Sequence, residues 1–159
     1  KVNMGWNLGF GYKGLNLGMT FTARLGGIVI SETQSILNAG GVSKVSADYR
    51  DAGGVPINQT KVSPKEYFTT INGASYYTYS ANNLRLGELN LSYTLPRKWF
   101  NDKMGMTVGF VGKNLWMIYC KAPFDPELTT SAASNFYQGF DAYMLPSTRN
   151  FGFNVKFQF

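Results

Sequence analysis

The chain has 159 residues, with 15 Lys and Arg against 9 Asp and Glu, a formal charge of +6 and a pI near 9.4. Only 15% of residues are charged, against roughly 25% in ordinary soluble domains, while 16% are aromatic and 18 are glycine. That composition excludes a disordered chain and a helical bundle, and the scattered Lys and Arg exclude a nucleic-acid surface.

The first segment, 2–12, alternates with period two: Met4, Trp6, Leu8, Phe10 and Tyr12 against Asn3, Gly5, Asn7, Gly9 and Gly11. Such alternation is the signature of a strand with one apolar face. Lys13-Gly14 makes a tight turn, and 15–25 sets Leu15, Leu17, Met19, Phe21, Ala23 and Leu25 against Asn16, Gly18, Thr20, Thr22 and Arg24. From Gly26 to Asn83 the chain is polar, with one short helix expected near Ser31–Asn38 before Gly40-Gly41. A loop this long is uncommon unless functional. A third strand is expected at 84–95. Leu84 and Leu86 are out of phase with Leu89, Leu91, Tyr93 and Leu95, which places a bulge near Gly87-Glu88. The fourth, 106–119, sets Met106, Val108 and Phe110 on one face and then loses phase at Lys113-Asn114. A second long loop, roughly 121–146, precedes the fifth strand, 148–159, where Phe151, Phe153, Val155, Phe157 and Phe159 alternate with Asn150, Gly152, Asn154, Lys156 and Gln158.

These segments suit a transmembrane antiparallel β-barrel better than a sandwich, the expected fold class being all-β. None of the twenty-three apolar-stripe positions is charged, and a lipid-facing charge costs about 2–4 kcal/mol at mid-bilayer. The six prolines avoid the strand cores, and the connectors alternate short, long, short, long, as periplasmic turns and extracellular loops do. An 11-residue strand of about 36 Å stands about 25 Å tall at 45° tilt. No stretch reaches the ~20 apolar residues of a membrane helix. The start, Lys1-Val2-Asn3, has no signal-peptide features, so a leader was removed or this is an internal piece of a larger protein.

The last strand, Phe151 to Phe159, resembles the terminal strand of outer-membrane barrels, which serves as their assembly signal: Phe151, Phe153, Val155, Phe157 and Phe159. Further stretches resemble the C-terminal region of SusC/RagA-type TonB-dependent transporters. They are Asp48-Tyr49-Arg50-Asp51-Ala52-Gly53-Gly54, Asn83 to Leu89 leading to Ser92-Tyr93-Thr94-Leu95-Pro96, and Val111-Gly112-Lys113-Asn114-Leu115-Trp116. Ala122-Pro123-Phe124-Asp125-Pro126-Glu127 and Leu145-Pro146-Ser147-Thr148-Arg149 complete the series in order. The resemblance implies a roughly 22-stranded plugged barrel, of which these would be the last five strands. It also implies a SusD-like surface lipoprotein as lid and import of oligosaccharides or oligopeptides driven by the TonB complex through a plug region that this chain lacks. The partners expected are the remainder of the same barrel and outer-membrane lipid and lipopolysaccharide, in a Gram-negative, Bacteroidetes-like cell. The alternatives are another outer-membrane barrel, a metal-chelate receptor or porin, or a soluble β-sandwich carbohydrate-binding module.

Catalytic chemistry finds little to stand on, and neither a cofactor nor a metal is expected. There is no histidine and one cysteine, Cys120. Gly9 to Gly14 matches G-x-G-x-x-G, but the strand alternation after it denies the helix that a dinucleotide site requires. Asn58-Gln59-Thr60 and Asn90-Leu91-Ser92 match the glycosylation sequon by accident, and Asp125 and Glu127 flank Pro126 as a turn rather than an acid/base pair. Tyr67, Tyr76, Tyr77, Tyr79, Phe136, Tyr137 and Phe140 are candidates for cargo or lid contact. Arg24, Asn154 and Lys156 are expected to face the lumen. Trp6, Tyr12, Tyr93, Trp99, Trp116 and Tyr119 read as interfacial belt residues.

Overall fold

Polarity that alternates every second residue obliges a strand to show different faces to two media. Five such strands form one antiparallel sheet in the computed structural model, which describes residues 1–100, 103–127 and 139–158. In chain order the elements begin with β1 (Val2–Tyr12), β2 (Leu15–Leu25), β3 (Ile28–Ser31), α1 (Glu32–Ala39) and α2 (Lys44–Asp51). The hairpin β4 (Val55–Ile57) and β5 (Thr60–Val62), the helical turns α3 (Pro64–Glu66), Tyr67–Ile71 and Ala74–Tyr77, and β6 (Thr78–Ser80) follow. Then come β7 (Asn83–Leu95), a turn at Arg97–Phe100, β8 (Gly105–Cys120), β9 (Phe140–Asp141) and β10 (Asn150–Gln158). Phe159 lies outside the described residues.

The chain divides into two compact units, each built by its own rule. The sheet unit, Lys1–Gly26 with Asn82–Pro123 and Pro146–Phe159, holds the five strands in the order β1-β2-β7-β8-β10. Its first turn has both central residues at positive φ, 45° at Lys13 and 88° at Gly14. That is the two-residue turn whose twist matches a hairpin. Gly14 is also pinned from outside: its carbonyl accepts from Thr94 N at 2.8 Å, and a Cβ there would sit 2.8 Å from Thr94 O.

The β2–β7 register slips at one place, so that Thr20 opposes Glu88 while Phe21 opposes Leu86. Gly87 is the extra residue of a bulge, which returns Leu84 and Leu86 to the face of Leu89. In β8 the register against β7 also shifts: Glu88 opposes Lys113 and Leu86 opposes Trp116, with Asn114 at φ 53° between them.

The second unit, Gly27–Ala81 with Phe124–Leu145, holds the short helix expected near Ser31–Asn38, as α1, and adds α2, α3 and two small sheets where an irregular polar loop was expected. Its helices are specified by serine caps: Ser31 accepts from Gln34 N, Ser43 from Ser46 N and Ser63 from Glu66 N, the last with Pro64 in the first turn. A serine oxygen at that position satisfies an amide the helix itself leaves open. β3 pairs antiparallel with β6 and parallel with β9, which closes a segment of the second long loop onto the first. The unit has a conventional interior of Val29, Val55, Phe68, Tyr77 and Ala81.

Candidate functional site

The registers let both faces of the sheet be followed across strands. On the apolar face, Phe10, Leu17, Leu91, Phe110 and Phe153 form one row across all five strands, and Tyr12, Leu15, Tyr93, Val108 and Val155 the next. Toward the other end run Leu8, Met19, Leu89, Gly112 and Phe151, then Trp6, Phe21, Leu86 and Trp116. No charge interrupts these rows. Phe110 stacks on Phe151 with ring centres 6.0 Å apart and tilts against Phe153 at 5.3 Å. The face is nonetheless open, with Phe10 60%, Phe151 63% and Phe153 81% exposed.

The opposite face carries Gly11, Asn16, Ser92, Gly109 and Asn154 in one row and Asn7, Thr20, Glu88, Lys113 and Asn150 in another. Its side chains bond across strands: Thr20 Oγ1 donates to Asn7 Oδ1 at 2.9 Å, and the hydroxyls of Thr94 and Thr107 lie 3.2 Å apart. A shallow groove of about 360 Å3 runs over Gly9, Gly11, Asn16, Gly18, Asn90 and Ser92, floored by residues too small to fill it. The Asn154 side chain lies over Gly109, and a Cβ there would oblige it to move aside. Arg24 and Lys156 stand on this same polar face, in rows with Asn3 and Asn83 and with Thr94 and Thr107.

A polar knot that the sequence reading did not single out also lies in the sheet unit. Asn114 Oδ1 accepts from Arg85 Nη1 at 2.8 Å, while its Nδ2 donates to Ser147 Oγ at 2.9 Å and to the Thr148 carbonyl at 3.1 Å. One side chain thereby ties β7, β8 and the approach to β10. The loss of phase at Lys113-Asn114 was the only hint in the sequence; there Asn114 takes a left-handed backbone, which asparagine tolerates better than most residues.

The loop aromatics do not share one fate. Tyr76 and Phe140 are partly exposed, at 44% and 38%, and Tyr67 and Tyr79 are half-buried. Tyr77 does not fit the expected contact role: it is 3% exposed, and its hydroxyl accepts from Asn38 and Asn72 amides at 3.4 and 3.5 Å. Phe68 is buried too and is the hub of the cluster, with Tyr67 at 5.0 Å and Tyr49 and Tyr76 each at 6.2 Å. Burial, and then the neighbouring Tyr49, Tyr67, Tyr77 and Tyr79, push the Tyr76 hydroxyl above its ordinary pKa; burial and then Tyr77 do the same for Tyr79. Phe136 and Tyr137 lie outside the described residues. In the same unit Ser31 Oγ donates to Asp141 Oδ2 at 2.6 Å in a buried setting. Among the described residues no three of His, Cys, Asp and Glu gather as metal ligands, and no helix is long and apolar enough to cross a membrane.

The two units differ in charge. The sheet unit has eleven Lys and Arg against two acids, a net +9, and the second unit four against seven, a net −3.

The sequence matches no protein-family model. Among curated proteins the chain is similar to the TonB-dependent receptor P3 of Formosa agariphila, 28% identical over 162 residues, which cover 97% of this chain and 16% of the receptor. Among solved structures it is similar to a chain of the RagAB peptide importer in the open-open state, with a TM-score of 0.66, 22% identity, and coverage of 98% of this chain and 16% of that one. A structure of the RagAB peptide transporter gives a TM-score of 0.54 at 22% identity over 72% of this chain and 14% of that one. The chain therefore spans 16% of the length of the curated relative. The resemblance to SusC/RagA-type transporters read from the motifs is borne out by likeness in sequence to a TonB-dependent receptor and in fold to the RagAB importer.

Proposed function

We propose that this chain, similar as it is to TonB-dependent receptors, forms the C-terminal wall and extracellular loops of an outer-membrane importer of oligosaccharides or oligopeptides in a Gram-negative, Bacteroidetes-like bacterium. The observation that carries the reading is the unbroken apolar face five strands wide, exposed where a water-soluble protein would bury it. Hydrocarbon is the medium that such a face fits, and the Gly, Asn and Thr of the other face suit a wet lumen.

On this reading the five strands are the last five of a roughly 22-stranded barrel, and the two outer edges, β1 and β10, pair with the remainder of it. The second unit stands outside the cell, where Tyr67, Tyr76, Tyr79 and Phe140 meet cargo or a SusD-like lid. TonB acts through a plug belonging to the rest of the transporter. This segment binds no cofactor and performs no covalent chemistry. Phe151, Phe153, Val155, Phe157 and Phe159 form the assembly signal.

The test is a pair of adjacent substitutions in the full receptor that carries this segment. Phe153→Arg places a cation in hydrocarbon and should cost about 2–4 kcal/mol or block assembly. Asn154→Arg points into the lumen and should assemble nearly as the parent does. Heat-modifiable gel mobility in isolated outer membranes reads both, and equal tolerance of the two overturns the face assignment.

A further inference from the structure

The surplus of cations on the sheet unit is unevenly placed, and one end of the sheet combines it with exposed aromatic rings. Lys13 forms the tip of the β1–β2 hairpin, and Lys98, Trp99 and Lys103 lie in the connector between β7 and β8. The Thr94 N to Gly14 O bond seats the hairpin tip against β7 two residues before that connector begins at Pro96. A tight turn, Trp99 N to Pro96 O at 3.1 Å, folds the start of the connector back at the end of β7.

The side on which these groups stand matters. Lys13 Nζ lies 5.2 Å from the ring centre of Tyr12, which belongs to the apolar face and is 70% exposed, so this cation sits at the margin of that face. Trp99 is 69% exposed. Arg97 is turned the other way, its Nε 3.6 Å from where a Cβ on Gly105 would stand on the polar face, and is left out. Among the described residues no ion pair involves the three lysines, and the sheet unit's Glu88 stands mid-strand on the polar face. The other acid of the unit, Asp102, lies outside the described residues.

We propose that Lys13, Lys98 and Lys103, with Tyr12 and Trp99, bind the phosphate headgroup of an anionic phospholipid at the short-turn end of the sheet. The rings lie at the hydrocarbon margin while the ammonium groups reach phosphate depth, a division of labour that long cationic and aromatic side chains adopt at membrane interfaces. The inference rests on the membrane reading above.

The full receptor carrying this segment is reconstituted into bilayers containing brominated phosphatidylglycerol or brominated phosphatidylcholine. Trp99 quenching is taken as the difference between the parent and its Trp99→Phe variant. The expected result is preferential quenching by phosphatidylglycerol, falling as salt rises, with about fivefold of preference lost per cation removed in Lys13→Gln, Lys98→Gln and Lys103→Gln. Lys→Arg at the same positions should retain the preference, which separates charge from folding. Equal quenching by both lipids overturns the headgroup site alone. A soluble anionic protein that protects Trp99 while neither lipid quenches it overturns both the site and the membrane reading.

Discussion

The sheet unit and the second unit spend similar side chains in opposite ways. Phe153 and Phe68 are the same residue type, one 81% exposed on the apolar face of the sheet and the other 3% exposed at the centre of a tyrosine cluster. Phe68, Val29 and Val55 leave water by packing on each other. The apolar rows of the sheet stay exposed, and on the proposed reading hydrocarbon is what covers them. On that reading one chain is written for two solvents, and the boundary falls where the strand alternation stops and the serine caps begin.

The largest expected effect follows from that contrast. Phe68→Ala opens a cavity in a closed core and should cost about 3–5 kcal/mol, whereas Phe153→Ala exchanges ring contacts for lipid and should cost far less in a bilayer. Hydrogen exchange of the full receptor in lipid, followed at amides from Phe68 to Tyr77 and in β10, reads both. Comparable loss at the two sites would erase the distinction between the units.

A smaller effect tests what specifies the second unit locally. Ser43→Ala removes the cap that accepts from Ser46 N and should cost about 1 kcal/mol, seen as faster exchange through α2 with β1, β2 and β10 unchanged. Spread of the effect into the sheet would show the units to be less separate than described.

The smallest effect is a pH dependence confined to the second unit. The hydroxyls of Tyr76 and Tyr79 are held above their ordinary value of 10.0, chiefly by burial. The folded unit therefore holds these protons more tightly than the unfolded chain does. The stability so contributed is complete below the ordinary tyrosine value and is lost as pH climbs through the raised values. Phenolate absorbance should show late-titrating tyrosines in the parent, and fewer of them in Tyr76→Phe and Tyr79→Phe.

How much could be read in advance depended on how local the cause was. In β1 and β2 the alternation in sequence is the alternation in space, because one residue in two faces each side and Lys13-Gly14 turns the chain within two residues. The bulge at Gly87 was legible as a phase slip between Leu86 and Leu89. The upper part of β8 was opaque because Asn114 adopts a left-handed conformation for the sake of partners as distant as Ser147 and Arg85. Pairing of β3 with β9 joins residues about 110 positions apart, which no window of sequence displays. The serine caps at Ser43 and Ser63 were visible signals. A reading tuned to period two passed over them.

Gly87 has one more implication. A reader who numbers β7 odd and even straight through assigns Arg85 to the hydrocarbon side and Leu84 and Leu86 to the interior; the bulge repairs that frame in three dimensions. Removing Gly87 would leave a plain strand with Leu84, Leu86 and Leu89 still together. A loss of one residue here would keep these side chains on their present faces and change only the local bend and twist of β7.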